Sequence, residues 1–409
     1  MTTKSIKDAF KNLRDDEEML HLADAAKSRS EADWLIGING SRGLTAYNSK
    51  SGGFFLTPCG RVQTPTLSLI VNREQKRLDF EAQKYWNLDA DFLCGKSYYK
   101  GKYFLPKFKK LDQEPHKTAD RIWSHQEALD ISAACKGEVA EVTEKAKSSL
   151  QKCPSLYDLT SLQREANSRF GFSAKMTLNI AQALYERFKV LTYPRTDSRF
   201  LPEDYIENTK ETFKKFSTTE YGIHSEKALS NHYIKADKRI FNNAKISDHH
   251  AIIPTGTIAK DLPEAENKLY KMVVQRYIAV FYPPAEFLNT TRISKIQSHH
   301  FKTEGKVLKV PGWKAVYGKL NDGEKLLDAL PQDTITTAEK INIKEEFTKP
   351  PARYNESSLL SAMEGAGKLV EDEEMQEALK DRGLGTPATR AAVIEKLIHD
   401  KYLIREGRE

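Results

Sequence analysis

With 409 residues, 64 of them lysine or arginine and 57 aspartate or glutamate, the chain has a net charge of +7, which permits a polyanionic partner without requiring one. The four cysteines are far apart and form no Cys-x-x-Cys pair, so neither a zinc ribbon nor a disulfide framework is indicated. The length predicts two to four domains. The sequence lacks an apolar run of about 18 residues and a signal-peptide core, so we expect a protein of the reducing cytoplasm without a membrane partner.

The first segment, residues 5–45, has the apolar spacing of helices. Arg29 and Asp33 lie four residues apart in it. By themselves such residues form an ordinary ion pair on a helix, worth about 0.3–0.5 kcal/mol. Gly52 and Gly53 then break the helical pattern.

A further helix is predicted to begin within residues 60–66. Thr64 ahead of Pro65 is typical of an N-cap followed by proline at the first helical position. Such a helix start can bind an anion, and Arg61 and Gln63 would point the same way from an extended segment. From the residues alone, a simple helix entry is the commoner outcome; a contact to phosphate, sugar or base is the alternative.

Beyond residue 77 the pattern changes to the alternation of strands, seen first in Trp86, Leu88 and Phe92. Tyrosines interleaved with lysines follow, and we interpret them as one face of an exposed hairpin rather than as a platform for stacking bases. Strand-like character returns between residues 284 and 347. Two strand-rich stretches on either side of a helical middle indicate one discontinuous domain with another inserted into it.

The helical middle contains the candidate catalytic residues Tyr193 and Arg195 close together in the sequence. After Gly171 a helix leads to Tyr193, and we expect it to end at Pro194. A tyrosine hydroxyl can attack phosphorus if a nearby cation stabilises the developing charge, and Arg195 is placed to supply that charge. Asp197 could orient Arg195, while Ser198 and Arg199 could hold a neighbouring phosphate. A proline-containing turn with a solvated ion pair is the alternative.

Two adjacent histidines, His249 and His250, follow Asp248. Adjacent residues point to different faces, so at most one of them is expected to serve a site directly. An imidazole here could contact a phosphate or relay a proton near Tyr193. The pair supplies too few ligands for zinc, and we predict no metal site.

The C-terminal part contains a second predicted helix start. Thr386 and Pro387 repeat the N-cap and proline pattern, and Arg390 lies one turn into the helix. A phosphate cradle and a capped structural helix are equally good interpretations. An acidic run at residues 371–374 is expected to be a solvated face rather than a metal site.

The segment from Tyr193 to Ser198, Tyr-Pro-Arg-Thr-Asp-Ser, resembles the active-site signature of type IA DNA topoisomerases, closest to the bacterial topoisomerase III branch. Four further segments resemble motifs of that family and follow in its order: Asp33–Gly37, Gly60–Thr66, Asp248–Thr255 and Gly383–Arg390. Together the five segments span nearly the whole chain.

The resemblance implies a mixed α and β, multidomain fold, the toroidal core of the family without its first domain. A helical DNA-groove domain and a helical tyrosine domain are expected to be joined by a β-rich arch. The implied boundaries are 1–75 and 350–409 for the groove domain, 76–152 and 285–349 for the arch, and 153–284 for the tyrosine domain.

The resemblance also implies roles for individual residues. Tyr193 would attack a phosphodiester of single-stranded DNA and form a 5′-phosphotyrosine, with Arg195 stabilising the transition state and His249 assisting. A second strand or duplex would then pass before religation, without ATP, so that DNA is relaxed or decatenated. The residues expected to contact DNA are Arg29, Asp33, Gly60, Arg61, Gln63, Thr196, Asp197, Ser198, His250, Thr386 and Arg390.

Members of this family begin with a Toprim domain, whose acidic residues hold Mg²⁺. Nothing in the sequence matches that domain, since no Asp-x-Asp follows an apolar strand. We therefore expect a fragment that binds no cofactor itself, needs the missing Toprim domain as a partner and cleaves DNA little or not at all. Its place would be the cytoplasm, at the nucleoid.

Two alternatives are kept. The first is a catalytically silent fragment that only binds single-stranded DNA. The second is an unrelated enzyme that forms a phosphotyrosine, such as a recombinase, which would prefer a duplex site and form a 3′-phosphotyrosine. The motifs at residues 60–66 and 383–390 have no place in the recombinase interpretation.

Overall fold

The computed structural model describes residues 3–111, 114, 116–318, 325–327, 330, 335–369 and 383–409. The chain forms two compact units, the first from Met1–Gln75, Pro154–Phe281 and Ala352–Glu409, the second from Lys76–Cys153 and Tyr282–Pro351. The expected mixed α and β class is confirmed. The division into three domains stays a prediction, because the segments assigned to the groove and to the tyrosine domain lie together in the first unit. The acidic run at 371–374 lies outside the described residues.

The first unit consists of α-helices joined by irregular segments in the part that the structure describes. Its helices are α1 (Thr3–Lys11), α2 (Asp16–Asn48), α3 (Gln63–Leu78, which runs on into the second unit), α5 (Leu159–Phe170), α6 (Ala174–Glu186), α7 (Ile206–Phe216), α8 (Gly222–Ser230), α9 (Glu264–Ala279), α10 (Glu356–Glu364) and α11 (Pro387–His399). The helical pattern predicted over 5–45 corresponds to two helices, α1 and α2. Gly52 and Gly53, with φ of 97° and 83°, follow the end of α2, as the sequence predicted.

Local signals explain where the helices before Tyr193 begin and end. The Asp158 carboxylate accepts a hydrogen bond from Ser161 N at 2.6 Å and so caps α5. Gly171 ends α5 in the left-handed conformation, with φ of 72°, which costs glycine little. Ser173 then caps α6 through Met176 N at 3.1 Å. These two helices therefore lead the chain toward Tyr193 along a fixed path.

The start of α6 packs into a small apolar core that it shares with the C-terminal helices. Ala174 lies there with Leu360 and Met363 of α10 and with Ala391 and Ile394 of α11, all buried. This core joins the segment before Tyr193 to the C-terminal part of the same unit.

Among the residues that the structure describes, the second unit forms a closed barrel of six antiparallel strands in the order β1-β2-β5-β4-β3-β6. Its elements are β1 (Lys84–Cys94), β2 (Ser97–Phe104), α4 (His125–Cys135), β3 (Val139–Gln151), β4 (Ala285–Ile296), β5 (His299–Val310) and β6 (Thr336–Phe347). β1 pairs with β6 along its whole length, from Lys84 opposite Phe347 to Cys94 opposite Thr336.

The predicted alternation in β1 is the barrel's core pattern. Leu88, Ala90, Phe92 and Cys94 are fully buried, and they pack with α4 residues such as Ile131. The polar residues between them are less buried. The alternation in the sequence therefore identified this strand and its buried face correctly.

The hairpin of β1 and β2 departs from the sequence interpretation. Tyr98 is exposed as predicted, whereas Tyr99 and Tyr103 are buried in the barrel core. Tyr99 stacks on Phe92 at 5.1 Å, and Arg292, which is buried, lies over its ring at 4.5 Å. Tyr99 and Tyr103 thus serve packing while Tyr98 faces solvent, because alternate residues of one strand face opposite sides. Among the described residues, no helix is long and apolar enough to cross a membrane.

Candidate active site around Tyr193

Tyr193 lies on an irregular segment that is held against residues 251–254. α6 ends at Glu186, earlier than the expected end at Pro194, and Lys189 takes a left-handed φ of 55° before the chain turns back. Thr192 N donates to Ile253 O at 2.9 Å, and Thr192 Oγ1 accepts from Ile253 N at 2.9 Å. Two hydrogen bonds to the backbone of Ile253 therefore fix the residue just before Tyr193.

The half-buried Tyr193 ring contacts two aromatic side chains. The ring centroid of His249 is 4.4 Å away at an interplanar angle of 45°, and that of Tyr185, on α6, is 5.5 Å away at 78°. Thr196 Oγ1 donates to the backbone oxygen of His249 at 3.0 Å, which ties the two segments together. The structure thus brings Tyr193 and His249 together, as the sequence analysis expected.

Arg195 is exposed, and its Nη2 donates to Gln182 Oε1 at 3.3 Å. The expectation that Asp197 orients Arg195 is not what the structure shows, because Asp197 Oδ1 accepts from Ser247 Oγ at 3.2 Å. Gln182 was missed by the sequence analysis. The signal was its position three residues before Tyr185 on α6, since residues three apart share one face of a helix.

Two hydroxyls of the motif shape the loop. Thr196 and Ser198 are buried, at 3% and 4% exposure. Thr196 Oγ1 accepts from Ser198 N at 3.1 Å, and Ser198 Oγ donates to Lys245 O at 3.0 Å. Their polar atoms are occupied by the protein itself, so a direct phosphate contact from either would require these bonds to rearrange.

Arg199 anchors the end of the motif through two carboxylates. Its Nε lies 2.7 Å from Asp158 Oδ2, and its Nη2 lies 3.0 Å from Glu364 Oε1 on α10. Burial alone would lower the pKa of Arg199, but the negative charges of Asp158 and Glu364 outweigh it and raise that pKa. Asp158 is therefore both the cap of α5 and a partner of the motif.

We expect Asp158→Ala to lower the free energy of unfolding by about 1–3 kcal/mol, because it removes a helix cap and a partly buried ion pair together. Asp158→Asn keeps a capping oxygen and should cost less. Asn355→Ala, which removes the cap of α10 alone, is the matched control. Urea unfolding measures all three. An equal loss in Asp158→Ala and Asn355→Ala, with no loss in Asp158→Asn, would show that the ion pair contributes nothing.

His250 contacts Tyr205, whereas its neighbour His249 contacts Tyr193, which agrees with the expectation for adjacent histidines. Its ring packs on Tyr205 at 5.1 Å, and its Nδ1 lies 2.8 Å from Ala251 O. Burial lowers the pKa of His250, and the neighbouring His249 lowers it further, while the bond to Ala251 opposes the shift. His250 is therefore favoured in its neutral form in the folded protein.

This lowered pKa makes stability depend on pH. Below the ordinary histidine pKa of about 6.5, the unfolded chain binds a proton that folded His250 does not, so stability falls as the pH falls. The loss stops below the folded-state pKa, and its slope is at most about 1.4 kcal/mol per pH unit. We expect His250→Asn to flatten the dependence of unfolding on pH just below 6.5. An unchanged slope would contradict this assignment.

The predicted upstream DNA contacts are arranged differently from the expectation. Arg29 and Asp33 are exposed on α2, but the partner of Asp33 is Arg61, whose Nε is 2.5 Å from Asp33 Oδ1. α3 begins at Gln63, so Arg61 lies in a turn and Gln63 in a helix rather than together on an extended segment. Arg61 and Asp33 therefore form one exposed pair.

Thr64 is inside α3 rather than its N-cap. Its hydroxyl accepts a hydrogen bond from Gly60 N at 3.0 Å, and its own N donates to Gly60 O at 3.0 Å. The backbone around Gly60 is thus folded into a tight turn at the entry to α3, which moves the helix start ahead of the predicted position.

The second predicted helix start is confirmed: Thr386 is the N-cap of α11 and Pro387 its first residue. Arg390, however, is only 3% exposed, and its Nη1 donates to Thr160 Oγ1 at 2.9 Å. Burial lowers the pKa of Arg390, and this effect is larger than the opposite effect of the nearby Glu364 carboxylate, which raises that pKa. Its guanidinium joins α11 to α5, so the structure favours the structural interpretation over the phosphate cradle.

A cleft of about 1210 Å³ opens beside Tyr193. Its lining includes Tyr185, Tyr193, Tyr205, Asn243, Asp248, His249 and His250. In the part of the chain that the structure describes, no group of three or more His, Cys, Asp or Glu side chains could hold a metal ion.

Comparison with known proteins matches this chain to one family. The family model described as DNA topoisomerase matches residues 17–409. DNA topoisomerase 3 of Bacillus licheniformis is 38% identical over 423 residues, and that of Bacillus subtilis is 36% identical; each match covers 100% of this chain and 55% of the relative. The chain thus spans about half the length of these relatives.

A solved structure, full-length topoisomerase I from Thermotoga maritima, shares the fold with a TM-score of 0.67 at 22% identity, covering 100% of this chain and 61% of that one. The extent of the family match removes the recombinase alternative. The chain therefore belongs to the type IA DNA topoisomerases and is similar to their topoisomerase III members.

Proposed function

We propose that this chain carries the tyrosine half of a topoisomerase active site, in which Tyr193 cleaves single-stranded DNA transiently. The observation that supports this most is the placement of Tyr193, with the His249 ring at 4.4 Å and Arg195 close by in the sequence, at the edge of an open cleft. A nucleophile, a proton carrier and a cation are thus supplied by two adjacent backbone segments that hydrogen bonds hold together.

In the proposed reaction, Tyr193 Oη forms a bond to phosphorus as the bond from phosphorus to the 3′ oxygen breaks. The phenol gives up its proton with the help of His249, and the departing 3′ oxygen takes one up to become a hydroxyl. Arg195 stabilises the charge that develops on the phosphoryl oxygens. Because one ester replaces another, the reverse attack reseals the strand without ATP.

The family uses Mg²⁺ held by its Toprim domain, where the ion would stabilise charge on the scissile phosphate. The described residues of this chain do not supply such a site, since no suitable group of ligands is present among them. We propose that a Toprim domain is the partner that completes the site.

Arg29, Asp33, Arg61 and Gln63 are proposed to hold the strand upstream of the cleavage site. The exposed pair of Arg61 and Asp33 leaves the guanidinium within reach of a phosphate, which could share it. Passage of a second strand or duplex through the break would relax or decatenate DNA, at the nucleoid in the cytoplasm.

The test is to incubate the chain with end-labelled single-stranded DNA and Mg²⁺, with and without a separately expressed Toprim fragment, followed by denaturing electrophoresis. A covalent adduct that appears only with the Toprim fragment is the expected result. Binding without an adduct under either condition would leave a silent single-strand binding fragment, and an absence of both binding and adduct would overturn the proposal.

A further inference from the structure

The cleft beside Tyr193 is larger than the attack of one hydroxyl on one phosphate requires. Its volume of about 1210 Å³ exceeds the roughly 300–1,000 Å³ of ordinary small-molecule pockets. Its walls come from four parts of the first unit: residues 8–12 in and just after α1, residues 185–193, residues 202–205 and residues 243–255. This open shape has room for a segment of a polymer.

Two aromatic side chains line this cleft in addition to Tyr193 and its immediate neighbours. The rings of Tyr205 and His250 lie 5.1 Å apart at an interplanar angle of 49°. The contact of His250 Nδ1 with Ala251 O, at 2.8 Å, fixes its ring, and Tyr205 is held at the start of α7. Rigid rings of this kind are suited to stacking against a nucleobase of any sequence.

The chemistry of the proposed adduct identifies the nucleotide that would occupy this cleft. A phosphate on Tyr193 is the 5′-phosphate of the downstream strand, so the first downstream nucleotide is covalently tied to the tyrosine until religation. The base of that nucleotide must therefore lie close to Tyr193, no farther away than the length of one nucleotide. The rings of Tyr205 and His250 line the same cleft.

We infer that this cleft is a subsite for the first nucleotide downstream of the break, with its base stacked on the pair formed by Tyr205 and His250. The inference rests on the proposed function. The subsite holds the cleaved 5′ end in place while the other end moves, and it discriminates little among bases because stacking requires no particular base edge.

The probe is a trinucleotide with a 5′-phosphate that mimics the cleaved end and carries 2-aminopurine, whose fluorescence falls on stacking. We expect strong quenching when 2-aminopurine is the first nucleotide and little when it is the third. Tyr205→Leu keeps an apolar side chain but loses the ring, and should weaken binding about 5-fold or more. Tyr205→Phe should bind as the native chain does.

Tyr98→Leu, at an exposed tyrosine of the second unit, is the matched control, and it should change neither the affinity for the trinucleotide nor the quenching. Equal quenching at both probe positions, or equal affinity of the native chain and a folded Tyr205→Leu, would overturn the subsite. The comparison of probe positions uses the native chain alone, so it remains decisive even if Tyr205→Leu fails to fold.

A longer single strand, titrated in parallel, separates this inference from the proposed function. If the longer strand binds but the trinucleotide shows no preference for its first position, the subsite is wrong and the proposed function stands. If neither binds, both are wrong.

Discussion

Tyr193→Phe is expected to abolish the covalent DNA adduct completely while leaving the affinity for single-stranded DNA unchanged. The substitution removes only the hydroxyl that would attack phosphorus, and no other group of the site can form the same ester at that position. The ring contacts with His249 and Tyr185 do not involve the hydroxyl, so the fold should be kept. The adduct is measured by denaturing electrophoresis with the Toprim fragment present, and affinity by titration of labelled single strand.

Tyr185→Phe is the matched control, because Tyr185 is the neighbouring tyrosine at 5.5 Å and lines the same cleft. It should form the adduct like the native chain. An adduct that persists in Tyr193→Phe and disappears in Tyr185→Phe would show that Tyr185, and not Tyr193, is the nucleophile.

The affinity of every variant for single-stranded DNA should fall steeply as the salt concentration rises, since phosphate contacts release counterions.

Arg195→Ala is expected to slow adduct formation by about 10²–10³-fold, the usual cost of removing one group that stabilises charge in a transition state. Arg195 is exposed and bonds to Gln182 at 3.3 Å, so its loss should leave the free energy of unfolding nearly unchanged. Single-turnover rates of adduct formation measure the effect, with urea unfolding in parallel.

Arg187→Ala serves as the control, because Arg187 is another exposed arginine, at the end of α6, and it packs on Phe188 rather than on the motif. Its rate should match the native rate. Gln182→Leu should give an effect smaller than that of Arg195→Ala, since the cation remains but loses its support. A slower rate in Arg187→Ala than in Arg195→Ala would contradict the role of Arg195.

The sequence was most informative where a residue's surroundings are local. The N-cap at Thr386, the alternation in β1 and the break after α2 were all predicted correctly, because each depends on a few neighbouring residues. The placement of His249 beside Tyr193 came from the family resemblance, since the two residues are far apart in the sequence.

Partners chosen by tertiary structure were beyond the sequence. Asp197 was expected to orient Arg195, but the fold places Gln182 there and turns Asp197 toward Ser247. Arg390 was a candidate phosphate ligand, and only the packing of α11 on α5 shows that it is buried. Side chains one turn apart on a helix can face either solvent or the interior, and spacing alone does not decide which.

The pairing of the first and last strands of the barrel has a consequence for biosynthesis. Lys84 pairs with Phe347, and the whole of residues 154–281 separates the two parts of the barrel in sequence. During translation β1 therefore emerges long before β6, and one of its edges stays unpaired while the helical segment is made. Such an edge can pair with other chains, and contacts this distant form slowly. Synthesis of this protein should therefore be sensitive to elongation rate and temperature, with the barrel closing only after the ribosome has completed β6.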